Sequence, residues 1–481
     1  MSAVLDALSR RARTTPDDLV IQWAEGSLTA AELLAQVGQL AAALADDRSP
    51  VGVLLDNGPA WVVVDLALIL AQRPSVPIPP FFTAAQRDHA LADAGAGLLI
   101  TPGAPGELTA GGAPIRLTPT GLAVRDLHPG TAKITYTSGS TGAPKGVCLS
   151  QDQMEAVAAS LVQVLGRDRA GLHLPVLPLA VLLENVAGLY ATLLAGGRYH
   201  AASLAEAGMG EAFRPDFARL LTTVVQTGAT TLILVPELLR GLIAAQGAMR
   251  LDHRLEMIAV GGARVSPALL EAAANAGLPV VEGYGLSECA SVVALNSPDD
   301  GRPGTVGRPL PHLEVHLADD SEILVSPHPF LGYVGQAPAP ERLHTGDIGR
   351  FDAHGRLSIE GRKANTLITA FGRNVAPEWV ESELLAEPQI LQAMAMGEAQ
   401  ASLSALIVAT PGADPAQIEA AVARANARLP DYARIGDWRL VPPFDPAAGQ
   451  VTANGRPRRE TLLRTYAPPP RKPPESSHVV F

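Results

Sequence analysis

Short apolar runs alternate with longer helical stretches along most of the chain. The β-branched and apolar run at 51–55 reads as a strand. Asp56-Asn57-Gly58-Pro59 breaks it, and an apolar helical stretch follows to Ala71. The run 230–235 reads as a buried strand, with Pro236 opening a helix that ends near Gly247. The run 255–260 repeats the pattern. After Gly261-Gly262, Ser266 is a helix cap with Pro267 at the first position, Gly277 closes that helix, and 279–281 starts another strand. This βα alternation predicts an α/β fold with mostly parallel sheets covered by helices. From about Gln389 the spacing loosens. The runs 390–396 and 403–409 read as strands, Asp414-Pro415 opens an amphipathic helix through Ala427, and 438–441 reads as a further strand. That makes a small α+β module near the minimum size of an independent domain. The Pro- and charge-rich tail, 467–481, is expected to be disordered or draped over the surface.

Composition narrows the class. The 481 residues are 47% hydrophobic and 18% charged, which fits more than one compact core rather than a disordered chain. A net charge of -11 argues against a nucleic-acid surface but not against a nucleotide, whose phosphates need only a few local donors. Cys148 and Cys289 lack disulfide-framework or metal-site spacing and read as small buried apolar residues. The start has Arg10, Arg11 and Arg13 but no apolar leader core, and the longest apolar run, 61–71, is interrupted by Asp65. A cytoplasmic enzyme without a transmembrane segment is the expectation.

The sharpest chemical signal is Tyr136-Thr137-Ser138-Gly139-Ser140-Thr141-Gly142-Ala143-Pro144-Lys145-Gly146. Hydroxyls and glycines leave backbone N–H groups to face an anion, and Lys145 adds positive charge. The glycine spacing and the Lys-Gly ending differ from a Walker loop. A Gly/Ser/Thr cluster is usually a surface loop, but the adjoining strand and the Pro-Lys-Gly ending are unlike a linker.

This run resembles the phosphate loop of the adenylate-forming superfamily, which includes acyl-CoA and aryl-CoA synthetases, luciferases and peptide-synthetase adenylation domains. Further matches follow in the family's order. The resemblance implies nucleotide contacts at Thr137, Ser138, Gly139, Ser140 and Gly142, and catalytic roles for Thr141 and Lys145. In Glu282-Gly283-Tyr284-Gly285-Leu286-Ser287-Glu288 it implies that Tyr284 stacks on adenine beside Gly285, Ser287 bonds the α-phosphate and Glu288 holds magnesium. A carboxylate beside phosphates needs a cation between them, which agrees. Gly262 and Ala263 match the adenine-side loop. Asp347 of Thr345-Gly346-Asp347 matches the ribose acceptor, and Arg362 the arginine at the domain junction. The segment 371–378 resembles the loop that enters the site for thioester formation.

Two positions depart from the family. Arg456 stands where a lysine usually reaches the substrate carboxylate and the α-phosphate, and a planar fork is not a compact ammonium. Ala364 stands where the hinge commonly has Asp or Lys. The resemblance implies a large adenylation domain at 1–362 and a small mobile domain at 363–466. It implies ATP and Mg2+ with CoA as co-substrate, and a small-molecule carboxylic acid, fatty or aryl, activated as acyl-adenylate with release of pyrophosphate. The segment 177–188 occupies the place of the family's substrate-side motif. Its run 184–188, together with 284–292, resembles the long-chain acyl-CoA synthetase branch, while residues such as Val181 and Leu182 are equally what any buried helix carries. A carrier-protein thiol, an amine, nitrite as the oxyanion, and a binding module without turnover are the alternatives.

Overall fold

A computed structural model describes residues 2–137, 144–210, 215–452 and 456–466. Its α/β character follows the predicted alternation. The helix Pro59–Ala71 starts at the proline, whose missing N–H costs nothing in a first turn, and ends with Gln72 left-handed. Residues 61–68 are buried all round it, so it is a core helix. Pro236–Met249 opens where predicted and runs two residues past Gly247. Pro267–Asn275 is capped by the Ser266 hydroxyl accepting the Leu269 N–H, and Gly277 follows at φ 73°. The strand expected at 255–260 is shorter, Met257–Val260.

Two large sheets dominate, and each is parallel inside and antiparallel at its edges. One runs in parallel from Val280–Leu286 through Met257–Val260, Thr231–Leu234, Leu172–His173 and Arg198–His200 to Leu19–Trp23. The other holds Thr131–Thr137, Ser75–Pro77, Val51–Val53 and Leu98–Pro102 in parallel. Parallel neighbours require crossover helices, whereas the edges are built from hairpins. The βα pattern does not anticipate a third, antiparallel sheet of Glu314–Leu317, Glu322–Ser326, Leu343–Phe351 and Leu357–Arg362. Leu343–Phe351 alternates buried and more exposed residues, as a strand packed on one face does.

In the C-terminal module Ile390–Met396 and Leu403–Ala409 pair antiparallel at the predicted bounds. Pro415–Ala427 carries an Asp414/Gln417 capping box. The last strand is Ile435–Leu440, three residues earlier than the pattern suggests. Val380, Leu384, Ile407, Ile418 and Val422 share a core of their own. The Arg240 guanidinium donates to the carbonyls of Leu385, Ile390 and Leu391 at 2.8–3.1 Å, tying this module to the helix Pro236–Met249.

A buried ionic knot holds the strand that leads into the phosphate-loop region. Lys133 Nζ donates to Asp65 at 2.7 Å, Asn185 at 2.5 Å and the Tyr190 hydroxyl at 3.2 Å, and Tyr190 donates to Asp65 at 2.6 Å. The Lys133 side chain is 2% exposed. Burial pushes its pKa down and Asp65 opposes the shift. Removing one member of such a pair strands the other charge, so Lys133→Met should destabilise by about 3–5 kcal/mol. A denaturation midpoint unchanged from wild type would contradict this. Asp65, which interrupts the longest apolar run, thus belongs to the core. Among the described residues no helix is long and apolar enough to cross a membrane.

Candidate active site

A cavity of about 2700 Å³ lies where the strand Val280–Leu286, the antiparallel sheet and the C-terminal module meet. Thr137, Lys145, Gly262, Ala263, Tyr284 and Gly285 line it. So do Ser287, Glu288, Asp347, Arg362 and Arg456, drawn from four separate parts of the chain. Ser138, Gly139, Ser140, Thr141 and Gly142 lie outside the described residues. Of the two cysteines, Cys148 and Cys289, both are buried and unpaired, as expected.

The hairpin of Val280–Leu286 and Ser291–Leu295 presents Ser287 and Glu288 at its tip. Gly285 is required there, because a Cβ would sit 1.7 Å from the Ser291 carbonyl oxygen. Ala290 (φ 54°) and Ser291 (φ 124°) complete the turn in sparsely populated conformations, a local strain of the kind concentrated at functional sites.

Asp347 and Arg362 belong to separate motifs, and the sheet register sets them directly opposite one another. Arg362 Nε lies 2.8 Å from Asp347 Oδ1, and the Tyr284 hydroxyl donates to Oδ2 at 2.6 Å. Burial raises the Asp347 pKa, with Arg362 and the Tyr284 hydrogen bond opposing it. One carboxylate therefore anchors the aromatic ring and the arginine together. Across the cavity, a Cβ placed on Gly262 would lie 3.7 Å from the Arg456 guanidinium. Arg456 is accessible through the open cavity, yet protein surrounds its guanidinium. Desolvation lowers its pKa while Glu237 opposes the shift, and a guanidinium remains cationic regardless. Phe371, in the segment with the thioester resemblance, is 75% exposed and is not among the cavity-lining residues, whereas Glu378 at the end of that segment is. Lys363 and Asn365 flank Ala364 in a short 3-10 turn, and Lys363 pairs with Asp320 and Glu322.

A second, apolar part of the cavity runs between the helix Gln151–Leu165 (Leu161, Leu165) and Leu183, Ala187 and Ala191. The segment 177–188 is not an ordinary buried helix. Leu183–Tyr190 is a π-helix, with Glu184 held by His173 at 2.8 Å and Asn185 by the Lys133 knot. π-Helical turns recur at functional sites.

Glu282 begins the same motif and is buried at the cavity wall. Burial pushes its pKa up to about 7, against the Gly304 N–H and Arg264. Its folded pKa lies above the ordinary 4.5, so its stabilisation is present below that pH and is lost as pH rises towards 7. Glu282→Gln should flatten the fall in stability across this window. An unchanged pH slope of the melting temperature would contradict the assignment.

Sequence motifs missed Tyr333, whose hydroxyl donates to Glu288 Oε1 at 2.8 Å while Lys145 Nζ lies 5.4 Å from its ring centre. Among the described residues no cluster of three or more His, Cys, Asp or Glu could hold a metal by itself. Glu288 is the carboxylate that lines the cavity at the hairpin tip, and magnesium commonly takes one or two carboxylates plus phosphate oxygens and water.

Residues 8–329 match the AMP-binding enzyme family, and residues 364–469 match the AMP-binding enzyme C-terminal domain. The chain belongs to the AMP-binding enzyme family. It is an AMP-forming acid–thiol ligase, and ATP with magnesium is the family's nucleotide. Among its relatives, the long-chain-fatty-acid–CoA ligase FadD15 of Mycobacterium bovis is 29% identical, over 76% of this chain and 70% of its own. The o-succinylbenzoate CoA synthetase MenE of Bacillus subtilis, solved with its acyl-adenylate intermediate, superposes with a TM-score of 0.76. It is 23% identical, over 95% of this chain and 97% of that one. The amide bond synthetase McbA of Marinactinospora thermotolerans superposes at 0.75 with 25% identity, over 96% and 100%.

Proposed function

We propose that the chain joins an apolar carboxylic acid to AMP and then transfers the acyl group to CoA. The observation that carries this reading is the convergence of Tyr284, Asp347, Glu288 and Arg456 on one cavity whose other arm is apolar. Tyr284 offers a ring face for adenine, fixed through its hydroxyl. Asp347 is the acceptor for the ribose hydroxyls, and Arg362 neutralises it from the exposed side. Thr137, Ser138, Gly139, Ser140 and Gly142 supply phosphate donors with Ser287, and Thr141 and Lys145 act on the leaving pyrophosphate.

In the first step a carboxylate oxygen attacks the α-phosphorus, the bond to the β-phosphate oxygen breaks, and pyrophosphate leaves. Glu288 would hold the magnesium, which neutralises phosphate charge when bound. Arg456 spans the incoming carboxylate and the α-phosphate, reducing their mutual repulsion. Fixed charges in a partly desolvated site need little reorganisation during the reaction, so they can carry most of the rate gain. In the second step the CoA thiolate attacks the acyl carbon and AMP departs.

The chain divides at Arg362/Lys363 into a large and a small domain, in this reading. Arg456 in the cavity with Phe371 outside is an arrangement suited to the first step. Rotation about Lys363–Asn365 would exchange them for the second. The Lys363 pairs with Asp320 and Glu322 supply the polar contact that Ala364 lacks.

Likeness to FadD15 and the apolar arm favour a long aliphatic acid, while likeness to MenE favours an aryl one. An amine acceptor is a second reading, favoured by the McbA likeness. Pyrophosphate release from ATP and magnesium with a panel of fatty and aryl acids tests the acid class. Turnover confined to fatty acids is expected, and turnover only with aryl or short acids would overturn the long-chain assignment.

A further inference from the structure

We propose that Tyr333 is a positioning residue for adenylation, aligning the Glu288 carboxylate and Lys145 around the magnesium–phosphate cluster. The inference rests on the reading of Glu288 as the magnesium carboxylate and deepens it.

The short strand Gly332–Tyr333 lies along Lys145–Ser150, with Tyr333 opposite Val147, so its backbone is fixed to the strand that begins at Lys145. Gly332 (φ 143°) packs against His128, which leaves no room for a Cβ, and His128 Nε2 lies 3.0 Å from the Tyr333 carbonyl oxygen. The Phe330 ring meets Tyr333 edge-on with centres 5.1 Å apart. The aromatic side chain is thus held on several sides before any ligand enters.

From that position it makes two polar contacts that packing alone does not require. Its hydroxyl donates to Glu288 Oε1 at 2.8 Å, and a neutral-to-anion hydrogen bond fixes the carboxylate plane. Its ring face lies 5.4 Å from Lys145 Nζ, within cation–π range. One side chain therefore sets the distance between an anion and a cation that must both face pyrophosphate. The anion comes from the hairpin tip of the first sheet, and the cation from the strand Lys145–Ser150 of the second, beside Tyr333's own edge strand.

Tyr333→Phe removes the hydrogen bond and keeps the ring, its packing on Phe330 and the cation–π contact. The magnesium concentration for half-maximal pyrophosphate release should rise by about tenfold, the scale of one hydrogen bond to a charged group. Melting temperature and acid KM should stay near wild type. In the Glu288→Gln background the same change should add little, because the anion it orients has gone. Tyr333→Leu should in addition raise the ATP requirement through Lys145. A Tyr333→Phe protein that folds and keeps the wild-type magnesium requirement would overturn the proposal, as would full additivity with Glu288→Gln. A wild-type enzyme whose pyrophosphate release did not depend on magnesium would instead overturn the underlying reading of Glu288.

Discussion

Arg456→Ala should lower the rate of acid-dependent pyrophosphate release by roughly 10²–10³-fold, the usual scale for losing one fixed stabiliser of developing charge. ATP affinity should change little, because Tyr284 and Asp347 hold the nucleoside without it. The guanidinium faces Gly262 across the cavity and stays cationic despite desolvation. Its proposed work is to screen a carboxylate from a phosphate that repels it. Arg456→Lys should recover part of the rate, since it restores charge but not the width of the planar fork. Rapid-quench measurement of the first turnover separates this step from product release. A wild-type first-turnover rate in Arg456→Ala would place the required cation elsewhere.

Asp347→Ala should weaken ATP binding by roughly 10- to 150-fold, matching about 1.5–3 kcal/mol for hydrogen bonds to a charged group. The loss is wider than one contact. Without the carboxylate the Tyr284 hydroxyl loses its acceptor and Arg362 its cross-strand partner. Because Arg362 is half exposed, the cost to folding should be smaller than the cost to binding. Asp347→Asn keeps an acceptor and a near-identical shape, so it should fall between the two proteins. Calorimetric titration with a non-hydrolysable ATP analogue measures this directly, and equal affinity in Asp347→Ala would remove the ribose assignment.

Much of this architecture is legible in the chain because its signals are local. Pro236, Ser266-Pro267 and Asp414-Pro415 open helices at the expected residues, since caps and N-terminal prolines act within a single turn. Apolar runs mark the first two strands of the C-terminal module at their bounds for the same reason, but the last, Ile435–Leu440, carries the exposed Gly436 and Asp437 near its start, which an apolar run does not flag. The antiparallel sheet of 314–362 was not legible. Its strands are short hairpin pairs with no crossover helix between them, and their burial runs from every position in Glu322–Ser326 to alternate positions in Leu343–Phe351, so no one period marks them. The π-helix Leu183–Tyr190 was equally hidden, because its register depends on Glu184 and Asn185 meeting His173 and Lys133 from other elements.

The site divides in the same way. Tyr284, Glu288, Asp347 and Arg456 lie in recognisable motifs, and all face one cavity. Their mutual bonds could not be read. Asp347 and Arg362 are neighbours only because a hairpin sets them in register. Tyr333 carried no signal, since a Gly-Tyr pair says nothing until folding brings it against Glu288, 45 residues away in the chain.

The central claim is that this cavity forms an acyl-adenylate and passes the acyl group to CoA. The direct measurement is to mix enzyme, ATP, magnesium and a long-chain acid without CoA, and to identify the bound product by mass. CoA is then added to the same sample. An enzyme-bound acyl-AMP equimolar with released pyrophosphate, converted by CoA to acyl-CoA and AMP, is the predicted result. Acyl-AMP that persists with CoA but disappears on adding an amine would move the acceptor to the amine reading. No acyl-AMP with any acid, despite bound ATP, would contradict the account.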